Sequence, residues 1–217
     1  MTASLLSAVG LSAMAAIAAD SGIARHRAFY LFKPLTTLLV LWLCALAPPG
    51  DYRLLLLLAL VWALLGDVLL MLRGERMFAA GAGSFLVAHL LFVVAFVLAV
   101  APDASGVRVL QAPAWALLPL LYGLLFFGLL LWRTRGRHAG LIGGYGLALV
   151  AMAVAACLHA HTLDRPSAWL ALGGAALFML SDSALALRQF VRPYRGAQAL
   201  ILSTYWAGIS LIALSAH

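Results

Sequence analysis

Eight apolar runs follow one another along this chain, with short polar connections between them. Each run approaches the roughly 20 residues that a helix needs to cross the hydrocarbon core of a bilayer. Only helices and closed barrels pair all of their backbone polar groups in that core. The sequence therefore predicts an all-α membrane bundle that forms one transmembrane domain over residues 1–217. Its eight transmembrane helices are expected near residues 4–19, 28–47, 54–72, 77–100, 113–132, 139–161, 167–187 and 197–216.

The composition excludes a soluble protein. Of the 217 residues, 65% are hydrophobic and only 10% are charged, whereas about a quarter of the residues in soluble domains are charged. The mean hydropathy is +1.07. The first apolar run resembles a secretory signal, but Arg25 and Arg27 follow it and no basic residue precedes it. Because a signal peptide carries its positive charge before the apolar run, we expect a first transmembrane helix instead.

The basic residues fall mainly on one side of the predicted membrane. Connections after the even-numbered spans hold only Arg53, Arg108 and Arg165. The other connections and their flanks hold the remaining eleven of the fourteen basic residues: Arg25, Arg27, Lys33, Arg73, Arg76, Arg133, Arg135, Arg137, Arg188, Arg192 and Arg195. Cytoplasmic loops are enriched in such residues, so we expect both termini on the outer side of a multi-pass protein of the bacterial inner membrane. The basic face suits anionic membrane lipids, and the sequence indicates no nucleic-acid partner and no protein partner.

Two acidic residues lie inside apolar spans at matching positions. Asp67 and Asp182 each stand six positions before an arginine, Arg73 and Arg188 respectively. A rise of about 1.5 Å per residue places each acid roughly 9 Å from its arginine along the helix. Acidic side chains are costly in the bilayer core and usually mark functional sites there. The two acids are therefore predicted to form one site.

Other polar side chains are predicted near the depth of the two acids. Lys33, Ser84, Tyr145 and Tyr205 fall in the cytoplasmic half of their spans, and His89 falls nearer the middle. If these helix faces converge, they form a polar pocket that opens toward the cytoplasmic leaflet. We expect these five residues to bind substrate. The alternatives are packing roles for the tyrosines and the histidine, and a Lys33 amine that extends to the interface, with Pro34 marking a helix start.

Short motifs are spaced along five of the spans. They are Lys33-Pro34, Gly66-Asp67-Val68-Leu69-Leu70, the stretch from Phe78 to His89 with its closing Ala88-His89-Leu90, Ser181-Asp182, and Thr204-Tyr205. In their order and spacing the chain resembles the YhhN-like lysoplasmalogenases over most of its length. That family commonly has a glutamine shortly after the tyrosine of the last span, where this chain has Gly208-Ile209-Ser210. The role of that amide is either absent here or supplied by Gln198 or Ser210.

The resemblance implies hydrolysis of the vinyl ether bond of lysoplasmalogens. The products would be a fatty aldehyde and glycerophosphoethanolamine or glycerophosphocholine, with Asp67 and Asp182 as the essential acids and no cofactor. A vinyl ether hydrolyses after protonation of its terminal alkene carbon, which creates an oxocarbenium ion that water traps. Glycosidases run related chemistry with one protonated and one ionised carboxyl group. We therefore expect the two aspartates to divide the acid and base roles, with Lys33 binding phosphate or tuning the pair.

A metal site is the main mechanistic alternative. His159, His161 and Asp164 cluster at the outer end of the sixth span. Two histidines two positions apart on a helix point about 200° from each other, however, and zinc requires three or four converging ligands. His89 with the two aspartates is the other candidate ligand set. We expect no metal.

Three other functions are compatible with the sequence. Intramembrane aspartates also serve as proton relays in carriers, so a proton-coupled transporter is one alternative, and a hydrolase of another lysolipid is a second. A purely structural membrane protein is a third. Cys44 and Cys157 fall toward the outer ends of their spans, and we expect two packing residues rather than a disulfide.

Overall fold

The computed structural model describes residues 2–21, 26–100, 113–136 and 139–217. Within these ranges the chain forms eight α-helices, a short 3₁₀ helix at Ala114–Leu117, and no strand. The helices are α1 Thr2–Ser21, α2 His26–Ala45, α3 Asp51–Met71, α4 Glu75–Val100, α5 Leu118–Arg133, α6 Ala139–Leu163, α7 Pro166–Phe190 and α8 Ala197–Leu214. The predicted spans agree with them to within three residues at each end, except that α5 begins five residues after the predicted start of its span, where the 3₁₀ helix Ala114–Leu117 precedes it.

All eight spans are long and apolar enough to cross a bilayer; the 3₁₀ turn extends the one formed by α5. The chain is therefore a multi-pass integral membrane protein.

Six helices close into a ring. Neighbours along the ring are α2, α3, α4, α6, α7 and α8, and α8 packs back on α2. The first helix lies outside this ring against α2 and α8, and α5 lies outside it against α6 and α7. The ring therefore encloses the interior of the bundle, where its buried polar side chains lie.

Small residues allow these helices to approach closely. A Cβ atom added at Gly174 of α7 would lie 2.5 Å from the carbonyl oxygen of Gly208 in α8, so the two backbones touch. A Cβ atom at Gly66 of α3 would lie 2.6 Å from the Phe85 ring of α4. The hydroxyl of Ser181 donates to the carbonyl of Ile201 in α8 at 2.9 Å. Other helices thus approach closely at the small residue before each aspartate.

Pro34 lies well inside α2, which begins at His26. The interpretation of this proline as a helix start is therefore wrong. Two helical turns of α2 precede this proline, and that segment is helical although proline supplies no N–H to the helix. The two cysteines, Cys44 and Cys157, are free and buried, as expected for packing residues.

Candidate active site

Asp67 is buried in the ring with donors on both of its carboxylate oxygens. The Lys33 ammonium lies 3.3 Å from Oδ1 and donates to the backbone carbonyl of Asp67 at 3.3 Å. Oδ2 accepts hydrogen bonds from the hydroxyl of Thr37 at 2.6 Å and from that of Tyr205 at 2.9 Å. Lys33 is only 5% exposed. Its amine therefore pairs with the acid, and the alternative that it extends to the membrane surface is wrong.

The direction of these hydrogen bonds follows from a tryptophan. The indole N–H of Trp206 donates to the Thr37 hydroxyl oxygen at 3.2 Å. Because an indole nitrogen is a donor only, Thr37 accepts there and directs its own proton to Asp67. Lysine is likewise a donor only. The donors around Asp67 thus match a carboxylate that accepts hydrogen bonds.

Asp182 lies in a different environment. The Tyr145 hydroxyl donates to its Oδ2 at 2.5 Å, and Nε2 of His89 lies 3.3 Å from the same oxygen. The His89 ring is fully buried and packs edge-on against Phe178, with ring centroids 4.8 Å apart. Neither nitrogen of His89 has a hydrogen-bond partner among the described residues. Asp182 therefore faces one hydroxyl and one imidazole, and no lysine or arginine forms an ion pair with it in the described part of the chain.

The ring contributes one of the predicted residues from each helix. They are Lys33 of α2, Asp67 of α3, His89 of α4, Tyr145 of α6, Asp182 of α7 and Tyr205 of α8. The structure groups them as two clusters, one around each aspartate. Ser84 is the exception: its buried hydroxyl donates to the carbonyl of Ala80 one turn earlier at 3.0 Å, away from both acids. Its role in substrate binding stays a prediction.

A polar cavity reaches both aspartates. Its volume is about 260 Å³. Its wall includes the Lys33–Asp67 pair, Asp182 and Tyr205 in the interior, and Arg188 at the end of α7. The cavity therefore connects the two acids with the helix ends that carry basic residues. Its remaining lining residues are Phe29, Leu70, Met71, Phe78, Phe85, Ser181, Leu185, Gln189, Gln198, Ile201 and Leu202.

An apolar cavity adjoins the polar one. Its volume is about 40 Å³. Asp182 and Tyr145 are its polar lining residues, and the rest of its wall is hydrocarbon or aromatic: Leu70, Phe78, Ala82, Phe85, Phe127, Leu130, Leu141, Ile142, Leu185, Ala186 and Phe190. Asp182 lines both cavities, whereas Asp67 lines only the polar one. The carboxyl group of Asp182 thus stands at the junction of a polar and an apolar chamber.

Several residues of this site were not identified from the sequence. Thr37 lies one helical turn after Lys33, and that i, i+4 spacing places both on one face of α2 and could have revealed it. Arg188 was noted only for orientation, yet its guanidinium lines the polar cavity and donates to Oε1 of Gln198. Of the two substitutes considered for the missing amide, Gln198 lines this cavity, whereas Ser210 is buried and its hydroxyl has no partner among the described residues.

The predicted outer cluster does not assemble into a ligand set. His159 is buried and stacks on Tyr52, with ring centroids 5.4 Å apart, while the ring of His161 packs against Trp115. Within the described ranges, no three histidine, cysteine, aspartate or glutamate side chains are grouped so that they could hold a metal ion. His89 and the two aspartates are among the residues that form no such group.

The fold and the site define a class of protein, a multi-pass membrane protein with two buried carboxyl groups at the wall of a polar cavity. Residues 28–216 match the YhhN family, and the chain belongs to that family. It is 33% identical to lysoplasmalogenase TMEM86B of Sus scrofa over 177 residues, which cover 82% of this chain and 70% of that protein. The corresponding protein of Rattus norvegicus is 35% identical over 178 residues, covering 82% and 68%.

A bacterial relative matches over more of its own length. The membrane protein YhhN of Escherichia coli O157:H7 is 31% identical over 189 residues, which cover 87% of this chain and 86% of the relative. No solved structure matches the chain.

Proposed function

We propose that this protein is a lysoplasmalogenase that hydrolyses the vinyl ether bond of lysoplasmalogens. The observation that carries this proposal is the position of Asp182 at the junction of the two cavities, with Asp67 on the wall of the polar one. A carboxyl group at that junction faces the bond that joins the polar and apolar halves of a single-chain lipid. The names of the TMEM86B relatives support the same activity.

The two cavities match the two halves of the substrate. A lysoplasmalogen has one hydrocarbon chain, a vinyl ether at the chain's end, and a glycerophospho headgroup. The apolar cavity suits the part of the hydrocarbon next to the vinyl ether, and burial there gains about 25 cal/mol for each Å² of apolar surface removed from water. The polar cavity suits the headgroup. In this pose the vinyl ether lies beside Asp182.

Asp67 is assigned the base role. Its carboxylate is held by the Lys33 ammonium and two hydroxyl donors. Each of these contacts stabilises the ionised form, and burial without them would favour the neutral acid. An ionised carboxylate at the polar wall accepts a proton from an attacking water.

Asp182 is assigned the acid role. No lysine or arginine pairs with it among the described residues, and it reaches the apolar chamber where the alkene carbon would lie. Nε2 of His89 lies 3.3 Å from the same carboxyl group. Tyr145 fixes the carboxyl orientation through its hydroxyl.

The reaction then proceeds in two stages. Asp182 transfers its proton to the alkene carbon that lies farther from the ether oxygen. The C=C π electrons form the new C–H bond, and an oxocarbenium ion results. Water adds to the carbon bonded to the ether oxygen while Asp67 takes one of its protons, which gives a hemiacetal. In the second stage the hemiacetal hydroxyl gives its proton to Asp182, the C–O bond to glycerol breaks, and Asp67 protonates the departing oxygen. Aldehyde and alcohol leave, and both aspartates regain their starting forms.

The charge pattern supports a location for the site. The polar cavity reaches the arginine-bearing end of α7, which the distribution of basic residues assigns to the cytoplasm. Substrate would therefore enter from the cytoplasmic leaflet of a bacterial inner membrane, with both termini on the outer side.

Purified protein in detergent tests the activity with three lysolipids that differ in one bond. The vinyl ether, the saturated ether and the ester are matched in chain length and headgroup, and fatty aldehyde and free fatty acid are both measured. Aldehyde from the vinyl ether alone supports the proposal. Free fatty acid from the ester without aldehyde would indicate a different lysolipid hydrolase, and proton-coupled flux in liposomes without any cleavage would indicate a transporter.

A further inference from the structure

The polar cavity contains two cations, and they have different partners. Lys33 lies 3.3 Å from the Asp67 carboxylate, which neutralises it inside the bundle. Arg188 instead donates to the neutral side-chain oxygen of Gln198. Among the described residues that line this cavity, Arg188 is the cation without an acidic partner. An anion that enters the cavity would therefore be attracted to the charge of Arg188 rather than to that of Lys33.

The surroundings of Arg188 suit a phosphate group. A guanidinium has five N–H donors in a planar fork that matches phosphate oxygens. One hydrogen bond to Gln198 leaves the other donors of Arg188 directed to the cavity or to solvent. The Gln198 amide contributes N–H donors of its own, and Gln189 lines the same wall. Three side chains with N–H groups thus surround the outer part of the cavity.

The distance from the acid also fits a glycerophospholipid. Asp182 and Arg188 are six residues apart on α7 and line one cavity, a separation of about 9 Å along the helix. In a lysoplasmalogen, seven bonds join the terminal alkene carbon to the phosphorus. By standard bond lengths this chain spans roughly 9 Å when it is extended. With the alkene carbon at Asp182, the extended chain is therefore long enough to cover the rise along α7 to Arg188.

We propose that Arg188, held by Gln198, is the residue that binds the substrate phosphate and thereby selects phosphate-bearing single-chain lipids over neutral ones. This inference rests on the proposed function. It moves the phosphate contact from Lys33, where the sequence suggested it, to the end of α7. Lys33 then serves the Asp67 carboxylate alone.

A pair of vinyl ether lipids tests the assignment. One is a lysoplasmenylcholine, and the other is the 1-alkenylglycerol of the same chain length, which lacks the phosphate. The measured quantity is kcat/KM for the phosphate lipid divided by kcat/KM for the neutral lipid. Arg188→Gln is expected to lower this ratio by about ten- to a hundred-fold, mainly by raising KM for the phosphate lipid. Arg188→Lys keeps the charge but loses the fork, so its ratio should lie between those of Arg188→Gln and wild type.

Arg192 provides the matched control. It is an exposed arginine four positions further along the chain, and it does not line the cavity. Arg192→Gln removes the same charge from the same side of the protein and should keep the wild-type ratio. An equal loss of activity on both lipids in Arg188→Gln, or an unchanged ratio, would overturn the assignment.

Two further arms separate other outcomes. Binding of a saturated-ether lysophosphocholine, which cannot be cleaved by this chemistry, should weaken about tenfold or more in Arg188→Gln. If wild type releases no aldehyde from either lipid, the proposed function fails, and this binding arm alone decides the Arg188 assignment: equal affinity overturns it.

Glycerophosphocholine should compete with substrate in wild type, and equal competition by inorganic phosphate would show a general anion site rather than a headgroup site.

Discussion

The indole N–H of Trp206 donates to the hydroxyl of Thr37, and that hydroxyl in turn donates to Asp67. Trp206 is on α8, Thr37 on α2 and Asp67 on α3, so three helices of the ring meet through one hydrogen-bonded chain. Because each link has a fixed direction, the chain supplies Asp67 with a donor before any substrate binds. The carboxylate is thus oriented by the fold itself.

Removal of the Thr37 hydroxyl should impair catalysis more than stability. Thr37→Val keeps the shape of the side chain but withdraws one donor from Asp67, and we expect kcat to fall about tenfold, the equivalent of one hydrogen bond. Thr37→Ser keeps the donor and should stay within about threefold of wild type. Aldehyde release measures kcat. If the serine and valine variants had equal activity, the hydroxyl would have no part in orienting Asp67.

The Lys33–Asp67 pair should behave as a coupled unit in the folded protein. Lys33→Met leaves a buried carboxylate without its cation, which typically costs 3–5 kcal/mol, and thermal unfolding in detergent should show this loss. The double variant Lys33→Met with Asp67→Asn removes both charges and should recover much of the stability. Its activity should remain lost, because the base is missing.

Equal stability of the single and double variants would contradict this coupling. Full activity in Lys33→Met would likewise contradict the role of the lysine in holding Asp67 ionised.

The contact between α7 and α8 should be sensitive to a single methyl group. In Gly174→Ala the new Cβ would lie 2.5 Å from the carbonyl of Gly208, so the helices must separate, and we expect a loss of about 1–3 kcal/mol in thermal unfolding. Gly173→Ala is the matched control, since a Cβ there would meet Leu211 at an ordinary 3.6 Å. Equal stability of the two variants would show that this packing does not limit the fold.

The eight helices could be predicted because the bilayer imposes a length and a polarity on every span. The apolar runs therefore marked seven of the eight helices to within three residues at each end. The order of helices in the ring could not be predicted in the same way, because lipid-facing and protein-facing sides are both apolar and leave no periodic signal. The placement of α5 outside the ring is a result of packing that emerges only in three dimensions.

The site could be predicted in part for a similar reason. Asp67, Asp182, Lys33, His89, Tyr145 and Tyr205 stood out as polar residues within apolar spans, and the structure brings them into two clusters. Arg188 and Gln198 lie at helix ends, where polar side chains are ordinary. Their position on the cavity wall depends on how α7 and α8 meet, and no local pattern marks it.

The two aspartates should both be required, for different steps. Asp182→Asn removes the proton donor and Asp67→Asn removes the base, and loss of a general acid or base typically costs 10²- to 10⁴-fold in rate. Each variant keeps the size of the side chain, so binding of the saturated-ether lysolipid should persist and report a folded site. If either variant retained more than about a tenth of the wild-type rate, its assigned role would be wrong.

The deuterium content of the aldehyde formed in D₂O tests the central claim most directly. Protonation of the terminal alkene carbon predicts that wild type releases an aldehyde with one deuterium on the carbon next to the carbonyl, detected by mass spectrometry. Asp67→Asn and Asp182→Asn should release little of it. An aldehyde without solvent deuterium at that carbon, or equal labelled product from both variants, would contradict vinyl ether hydrolysis by these two acids.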